Sequence, residues 1–524
     1  MCLALSLAFA VAPVSAQIAS PEAADAPRFD IFEYQIDGNS RLADIDIERA
    51  VMPYLGERKS LVEVEAARAE LERTYHDAGY LTVVVSIPEQ NVDSGVVALH
   101  VVEATVDRLR VKGSEYHTLS GIKAQVPELA EGNVPNFNQM QAQLGTVNRG
   151  ADMKVTPVLL AGKVPGTVEV HLDVEDKLPL HGSVELSNRQ SPNTSEARLS
   201  ASLRYDNLWQ LGHSIGVSVQ TSPQKTDEVK VLSGTYVMPL GKDGDALTLY
   251  AVRSRSSVAS LANSPGLGVL GNVDIFGLRY ALPAASSDDF AYTLSGGLDF
   301  KNVKQAVSVV GAGSVETPIK YVPLVATYTA NWFGKNTLTT FDATATLGLR
   351  SFFGNNDAEF GGKRFGASAD YLALRTGLSR VQPIGRWSVS GKVEMQLASG
   401  PLVSNEQFTA GGAESVRGYL EGERAGDSAL RASLELRTPQ FKPAGETSLW
   451  AVTALAFADA ARLRTFEAVS PQPAIQQIRG AGIGMRVSAP RALALELDWA
   501  HAFDDGDVTK AGSNRVHARL IWDY

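Results

Sequence analysis

WSVSGKVEMQL, residues 387–397, places Trp387, Val389, Val393, Met395 and Leu397 on one face of an extended chain and Ser388, Ser390, Lys392, Glu394 and Gln396 on the other. Successive side chains of a strand point to opposite sides, so the two faces want different solvents. Three later segments repeat the pattern. LRASLELR sets Leu430, Ala432, Leu434 and Leu436 against Arg431, Ser433, Glu435 and Arg437. LALELDWA sets Leu493, Leu495, Leu497 and Trp499 against Ala494, Glu496, Asp498 and Ala500. VHARLIWDY sends Val516, Ala518, Leu520, Trp522 and Tyr524 one way and His517, Arg519 and Asp523 the other. Such alternation suits either a soluble antiparallel sandwich or a membrane barrel.

Connection lengths separate the two. Strands are expected near 183, 198, 213, 229, 245, 272, 290, 318, 338, 367, 386, 428, 448, 478, 491 and 514, sixteen in all, an even number as in bacterial barrels. Every second connection is short: DNLWQLG (206–212), PLGKDG (239–244), PAASSD (283–288), FGKN (333–336), PIG (383–385), KPAGE (442–446) and APRA (489–492). The others are mostly longer, including 255–271, 302–317, 352–366, 400–427 and 460–477. Short turns alternating with long loops mark a barrel that crosses a membrane. No apolar run reaches the roughly 20 residues of a membrane helix, so the crossing falls to strands. Residues 178–524 therefore read as a 16-stranded antiparallel transmembrane β-barrel with a polar lumen, closed so that no edge lies unpaired in lipid.

Upstream the period changes. IFEYQIDG (31–38) alternates, 43–55 suits a short helix, and 61–78 carries Val64, Ala67, Leu71 and Tyr75 on one helical face. LTVVVSIPEQ (81–90) and VVALHVVEA (96–104) supply two β-branched strands. The order β-α-α-β-β recurs as DRLRVKG (107–113), a weak helix near 119–125, NFNQMQAQLGTVNRG (136–150), DMKVTPVLLAG (152–162) and TVEVHLDVED (167–176). This order, with Gly79-Tyr80 closing the second helix, resembles the POTRA domain, a periplasmic module that precedes outer-membrane barrels. Two small α+β units of this kind are expected, at 29–104 and 105–177. Each has a sheet edge whose main-chain groups can bind an extended client by strand addition.

At the start, the apolar stretch Leu3–Val14 followed by Val14-Ser15-Ala16 reads as a signal peptide over 1–16. Residues 17–28 form a linker whose two prolines, Pro21 and Pro27, argue against a plug helix. Cys2, the single cysteine of the 524 residues, lies within the signal peptide, which excludes a disulfide framework, a Cys zinc site and a thiol nucleophile. A net charge of -10 gives no basic field for nucleic acid.

Two motifs narrow the barrel. The longest loop carries GGAESVRGY (411–419), with Arg417 a permanent forked cation and Gly418 a tight passage beside Tyr419. In FADAA (457–461) the alternation misbehaves: Trp450, Val452 and Ala454 take the lipid parity, leaving Phe457 and Asp459 on the lumen face. Local rule-breaking of this kind marks functional sites. Here the chain resembles the two-partner secretion transporters, the TpsB family typified by the filamentous-haemagglutinin and haemolysin secretion proteins. Val416-Arg417-Gly418-Tyr419 matches that family's VRGY motif, and Phe457 and Asp459 match its F-x-D-x-G motif, whose terminal Gly is Ala461 here.

The resemblance implies that the sixth external loop folds into the lumen and that Arg417 pairs with Asp459, through two parallel charge-assisted bonds. It implies an outer-membrane location with the POTRA domains in the periplasm. The implied partners are a large secreted exoprotein of adhesin or cytolysin type, bound as an extended chain, and outer-membrane lipid, with no nucleic acid and no cofactor or metal. An assembly factor that inserts other barrels is the alternative, and a diffusion porin would leave the POTRA units superfluous. Enzyme signatures such as H-E-x-x-H and G-x-S-x-G are absent.

Overall fold

The computed structural model describes residues 28–524 apart from 149, 242–243, 257–271, 288, 305, 310–312, 317, 444, 446, 471 and 491. The signal peptide read at 1–16, the linker up to residue 27 and most of the loop read at 255–271 lie outside the described residues. The described chain divides after Leu178 into two compact units.

The first unit holds both α+β modules. In the first, helices α1 (Asp44–Val51) and α2 (Leu61–Asp77) cover a sheet in which Val96–Glu103 is central, parallel to Glu33–Asp37 and antiparallel to Val83–Ser86. Ser60 starts α2 by a reciprocal cap: its hydroxyl accepts from Val62 N–H at 3.2 Å, while Glu63 accepts from Ser60 N–H at 2.9 Å. The face Val64, Ala67, Leu71, Tyr75 is buried against Val83, Val85, Leu99 and Val101. The helix expected over 43–55 stops at Val51, where Pro53 turns the chain into one 3-10 turn. A strand pair that the pattern does not announce, Phe29–Ile31 with Gly56–Lys59, follows it.

The second module repeats the plan with α3 (Leu119–Ala124) and α4 (Phe137–Val147) over a central strand Thr167–Asp176, flanked by Thr105–Lys112 and Met153–Ala161. In each copy the first strand ends on a glycine of positive φ, Gly38 at +92° and Gly113 at +83°. A Cβ there would lie 2.2 Å from the Val101 carbonyl oxygen and 2.3 Å from that of Val174. Two modules thus use one solution to pass the chain close over the central strand.

The second unit is a closed antiparallel barrel. Its sixteen strands are β1 (Leu180–Ser187), β2 (Arg198–Leu208), β3 (His213–Thr221), β4 (Val229–Leu240), β5 (Asp245–Ser256), β6 (Val273–Ser287), β7 (Phe290–Val303), β8 (Ile319–Tyr321 continued as Leu324–Gly334), β9 (Thr337–Gly348), β10 (Tyr371–Ile384), β11 (Trp387–Ala398), β12 (Ser428–Arg437), β13 (Ala451–Arg464), β14 (Ile475–Ala489), β15 (Leu493–Ala502) and β16 (Asn514–Asp523). Each pairs with its neighbours in sequence, and β16 closes on β1 from Arg519↔Ser187 to Asp523↔Ser183. The outer face is apolar: Leu430 is 52% exposed, Leu434 56% and Trp499 48%, while the intervening Arg431 and Asp498 are buried inside.

Several expectations change. β6 runs through the turn read at 283–288 to Ser287, and the loop read at 460–477 shortens to 465–474 because β13 runs to Arg464. The turn read at 442–446 is part of a longer connection, 438–450, because Pro439 follows the end of β12 and Pro443 adds a second break. The loop read at 352–366 extends to residue 370 and contains a helix, α5 (Asp357–Lys363), begun by Asn356, whose side chain accepts from Ala358 N–H at 2.8 Å. The lumen is not polar throughout. At the external ends of β4 to β8 and β10, Val229, Val231, Val252, Val273, Ile275, Val303, Ile319 and Tyr371 form an apolar cluster inside the barrel with Phe360, Leu402 and Val403 from two loops. Folded-in loop residues, rather than water, cover those faces.

Candidate functional site

The sixth external connection, 399–427, folds into the barrel. Its Val416 and Tyr419 are fully buried among Phe408, Ala410, Ala461, Leu463, Ile478 and Ala502. Between them Arg417 lies against the wall of β12 and β13. Its Nε and Nη2 donate to the two oxygens of Asp459 at 2.7 and 2.9 Å, and its main-chain N–H donates to Asp459 Oδ2 at 3.1 Å. Nη1 donates to Glu435 Oε1 at 2.7 Å, and Ser433 Oγ donates to Asp459 Oδ1 at 2.6 Å. The guanidinium also stands 3.5 Å from the centre of the Phe457 ring, a stacking that desolvation strengthens. Arg417 is 3% exposed and Asp459 likewise 3%.

Buried ions of this kind are tolerated only where their remaining polar atoms are also satisfied. Here a planar fork meets one carboxylate edge-on, a second carboxylate end-on and an aromatic face. Strand register makes this possible. Ser433 pairs with Asp459 and Glu435 with Phe457, so four lumen-facing side chains lie on two adjacent strands.

Gly418 has φ +100° and donates its N–H to His517 Nε2 at 3.1 Å. The Tyr419 hydroxyl lies 2.9 Å from the carbonyls of Arg479 and Asp504 and accepts from Asp504 N–H at 3.0 Å. All six motif residues, Val416, Arg417, Gly418, Tyr419, Phe457 and Asp459, thus fall in one contiguous site. Ala461, where the family motif has glycine, places its methyl in the cluster beside Val416.

Other participants carry no motif. Glu435, Ser433 and His517 are ordinary lumen positions until the loop docks on them. Gly480, Gly482 and Gly484 of β14 form a bare patch: a Cβ at Gly480 would lie 2.0 Å from the Arg417 carbonyl oxygen, and one at Gly482 would lie 2.8 Å from Phe457 Cζ. The spacing Gly-x-Gly-x-Gly on one strand face was the available signal. Beside the motif lies a cavity of about 410 Å³ whose lining includes Arg431, Arg437, Arg486, Glu496 and Arg519. Both signs of charge line this cavity.

Fold and site together define a POTRA-bearing outer-membrane β-barrel transporter with a lumen-docked sixth loop. The sequence pattern of the family described as Haemolysin secretion/activation protein ShlB/FhaC/HecB matches residues 166–487, and that of the POTRA domain, ShlB-type, matches 29–104. The chain belongs to the ShlB/FhaC/HecB family, the transporters of two-partner secretion. It is 22% identical over 418 residues to the outer membrane transporter CdiB of Dickeya dadantii (strain 3937), covering 79% of this chain and 73% of that one. It is 20% identical over 406 residues to the heme/hemopexin transporter protein HuxB of Haemophilus influenzae (strain 86-028NP), covering 74% and 68%. In fold it resembles CdiB from Escherichia coli, with a TM-score of 0.66 at 18% identity over 98% of this chain and 94% of that one. Family and architecture place the barrel in the outer membrane and the POTRA modules in the periplasm.

Proposed function

We propose that this transporter exports one large secreted partner, recognised as an extended chain by the POTRA modules and threaded through the barrel to the cell surface. The observation that carries the reading is the sixth loop lying inside the barrel wall, held by Arg417 to Asp459 and Glu435. A loop fixed by exchangeable polar bonds in a lumen of mixed charge can yield to a polar chain and return after it. No phosphate-cradling motif is present in the sequence to couple ATP. Direction would come from folding of the partner outside. The cargo class best suited is a long exoprotein of adhesin or cytolysin type.

The modules differ in what their sheet edges offer. At Val83–Ser86 the edge is closed from within: Val85 N–H donates to Glu72 at 3.0 Å, and its carbonyl accepts from Arg68 at 3.2 Å. Asn148 closes Val155 in the same way, at 2.7 and 2.9 Å. The continuation of that strand, Pro157–Ala161, carries no such side-chain cap among the described residues and is the edge best placed to take a client strand.

Co-expression with a candidate large secreted partner tests the reading. Arg417→Ala is expected to abolish release of the partner while the barrel still inserts and resists heat-free unfolding in detergent. Normal release from a correctly inserted variant would overturn the role of the loop. Loss of other outer-membrane barrels on depletion of the protein would point instead to assembly.

A further inference from the structure

The apolar cluster at the external mouth has its own polar fastening, made by groups other than those that hold Arg417. Phe360 of α5 is 1% exposed and meets Tyr321 and Tyr371 with ring centres 5.3 and 6.0 Å apart. Leu402 and Val403, from the sixth loop, are each 1% exposed in the same cluster. Immediately after α5, Arg364 forms a two-pronged pair with Asp427, Nη2 to Oδ2 at 2.7 Å. Asp427 has no exposed surface. It also accepts from the N–H groups of Leu402 and Phe466 at 2.9 and 2.7 Å and from Gln407 Nε2 at 3.1 Å, while Arg364 Nη2 donates to the Phe466 carbonyl at 3.1 Å. One ion pair therefore ties the fifth loop (349–370), the sixth (399–427) and the seventh (465–474) together.

A second contact fixes the sixth loop to the wall. Glu406 accepts from Lys301 Nζ at 2.7 Å and from the Tyr321 hydroxyl at 2.5 Å. Apolar contacts within the cluster are non-directional and can slide. The buried ion pair cannot part without leaving a charge uncompensated, so it decides whether the loops move separately or not at all.

We propose that Arg364–Asp427 is a latch that locks the fifth and seventh loops onto the lumen-docked sixth and keeps the pore closed at rest, distinct from the Arg417–Asp459 contact deeper in the site. The proposal rests on the reading of the lumen as a polypeptide path, but its test needs no partner. The purified full-length protein is placed in planar lipid bilayers, and its ion conductance is compared with that of Arg364→Ala and Phe360→Asp. Each variant is first shown to be a folded barrel by heat-modifiable migration. Both are expected to raise the conducting fraction on the order of a hundredfold, the population shift that losing one partner of a buried pair carries. Arg364→Lys, which keeps the charge but loses the fork, is expected to fall between and serves if Arg364→Ala does not fold. Folded variants that stay as closed as the unaltered protein would overturn the latch. So would opening by Phe360→Asp alone, with Arg364→Ala closed. Export by the unaltered protein is a separate measurement: its failure to release any partner, with the variants still opening in bilayers, would leave the latch standing and refute the export reading instead.

Discussion

Arg417 shows how a side chain long enough to be a solvated loop cation becomes structural once three groups converge on it. Its fork is filled by Asp459 and Glu435, and its face by Phe457. That arrangement requires the loop backbone to lie nearly on the wall, and Gly480 is what permits it. Gly480→Ala would bring a methyl to 2.0 Å from the Arg417 carbonyl oxygen, which is backbone and cannot step aside cheaply. The expected result is a loss of about 1–3 kcal/mol, the usual effect of overpacking, read as a lower denaturation midpoint in detergent, together with new protease cleavage between residues 411 and 419. An unchanged midpoint with an intact loop would contradict the close-approach role. The six motif residues were legible in sequence, through the resemblance to the family's VRGY and F-x-D motifs and because an apolar Phe457 beside a carboxylate on the lumen parity stands out. Glu435 and Ser433 were not: their part depends on the register of β12 against β13, which alternation alone leaves open.

Among elements, the POTRA strands and the barrel strands were legible for different reasons and failed in different places. Period-2 and period-3.6 runs located the helices and three-stranded sheets of both modules but not the short pair Phe29–Ile31 with Gly56–Lys59. At the outer ends of β4, β5, β6 and β10 the lumen face is apolar too, so residues such as Val229, Ile275 and Tyr371 read as bare wall when they pack against Phe360, Leu402 and Val403 of two loops. A pattern that assumes water inside cannot see a loop that replaces it.

Two tests belong at the scale of elements. Leu159→Pro removes one main-chain donor from the edge segment Pro157–Ala161, a position where proline is tolerated. It is expected to weaken binding of an extended partner segment roughly fivefold, the effect of one hydrogen bond of about 1 kcal/mol. Unchanged affinity with an intact module would move the client elsewhere. Asp176 ends the central strand of the second module. Burial acts to raise its pKa, but the bond from His117 and the N–H groups of Tyr116, His117 and Glu115, at 2.7, 2.9 and 2.8 Å, outweigh it and hold the carboxyl below its usual range. A depressed folded-state pKa means that this stabilisation is complete above the ordinary aspartate value of about 3.9 and disappears as pH falls through the lower folded value. Acid titration of Asp176→Ala should therefore show stability reduced at neutral pH by about 1–3 kcal/mol, from orphaned N–H groups, and a flatter loss below pH of about 4. A variant with the same acid limb as the unaltered chain would contradict this assignment.

At the scale of the whole molecule, the barrel separates two surfaces by strand parity: lipid-facing Leu434 and Val393 are well exposed, while Glu394 and Ser433 on the same strands face inward. Membrane insertion follows from the first surface, and the proposed passage of a partner would use the second. The most direct measurement puts a photoreactive amino acid at Glu394 on the lumen face, or at Leu434 on the lipid face, while a partner is stalled in mid-export by a folded domain fused near its trailing end. Adducts with the partner are expected from position 394 and none from position 434. Adducts from position 434, or partner delivered to the surface with no adduct at 394, would show that the exported chain does not travel through the barrel.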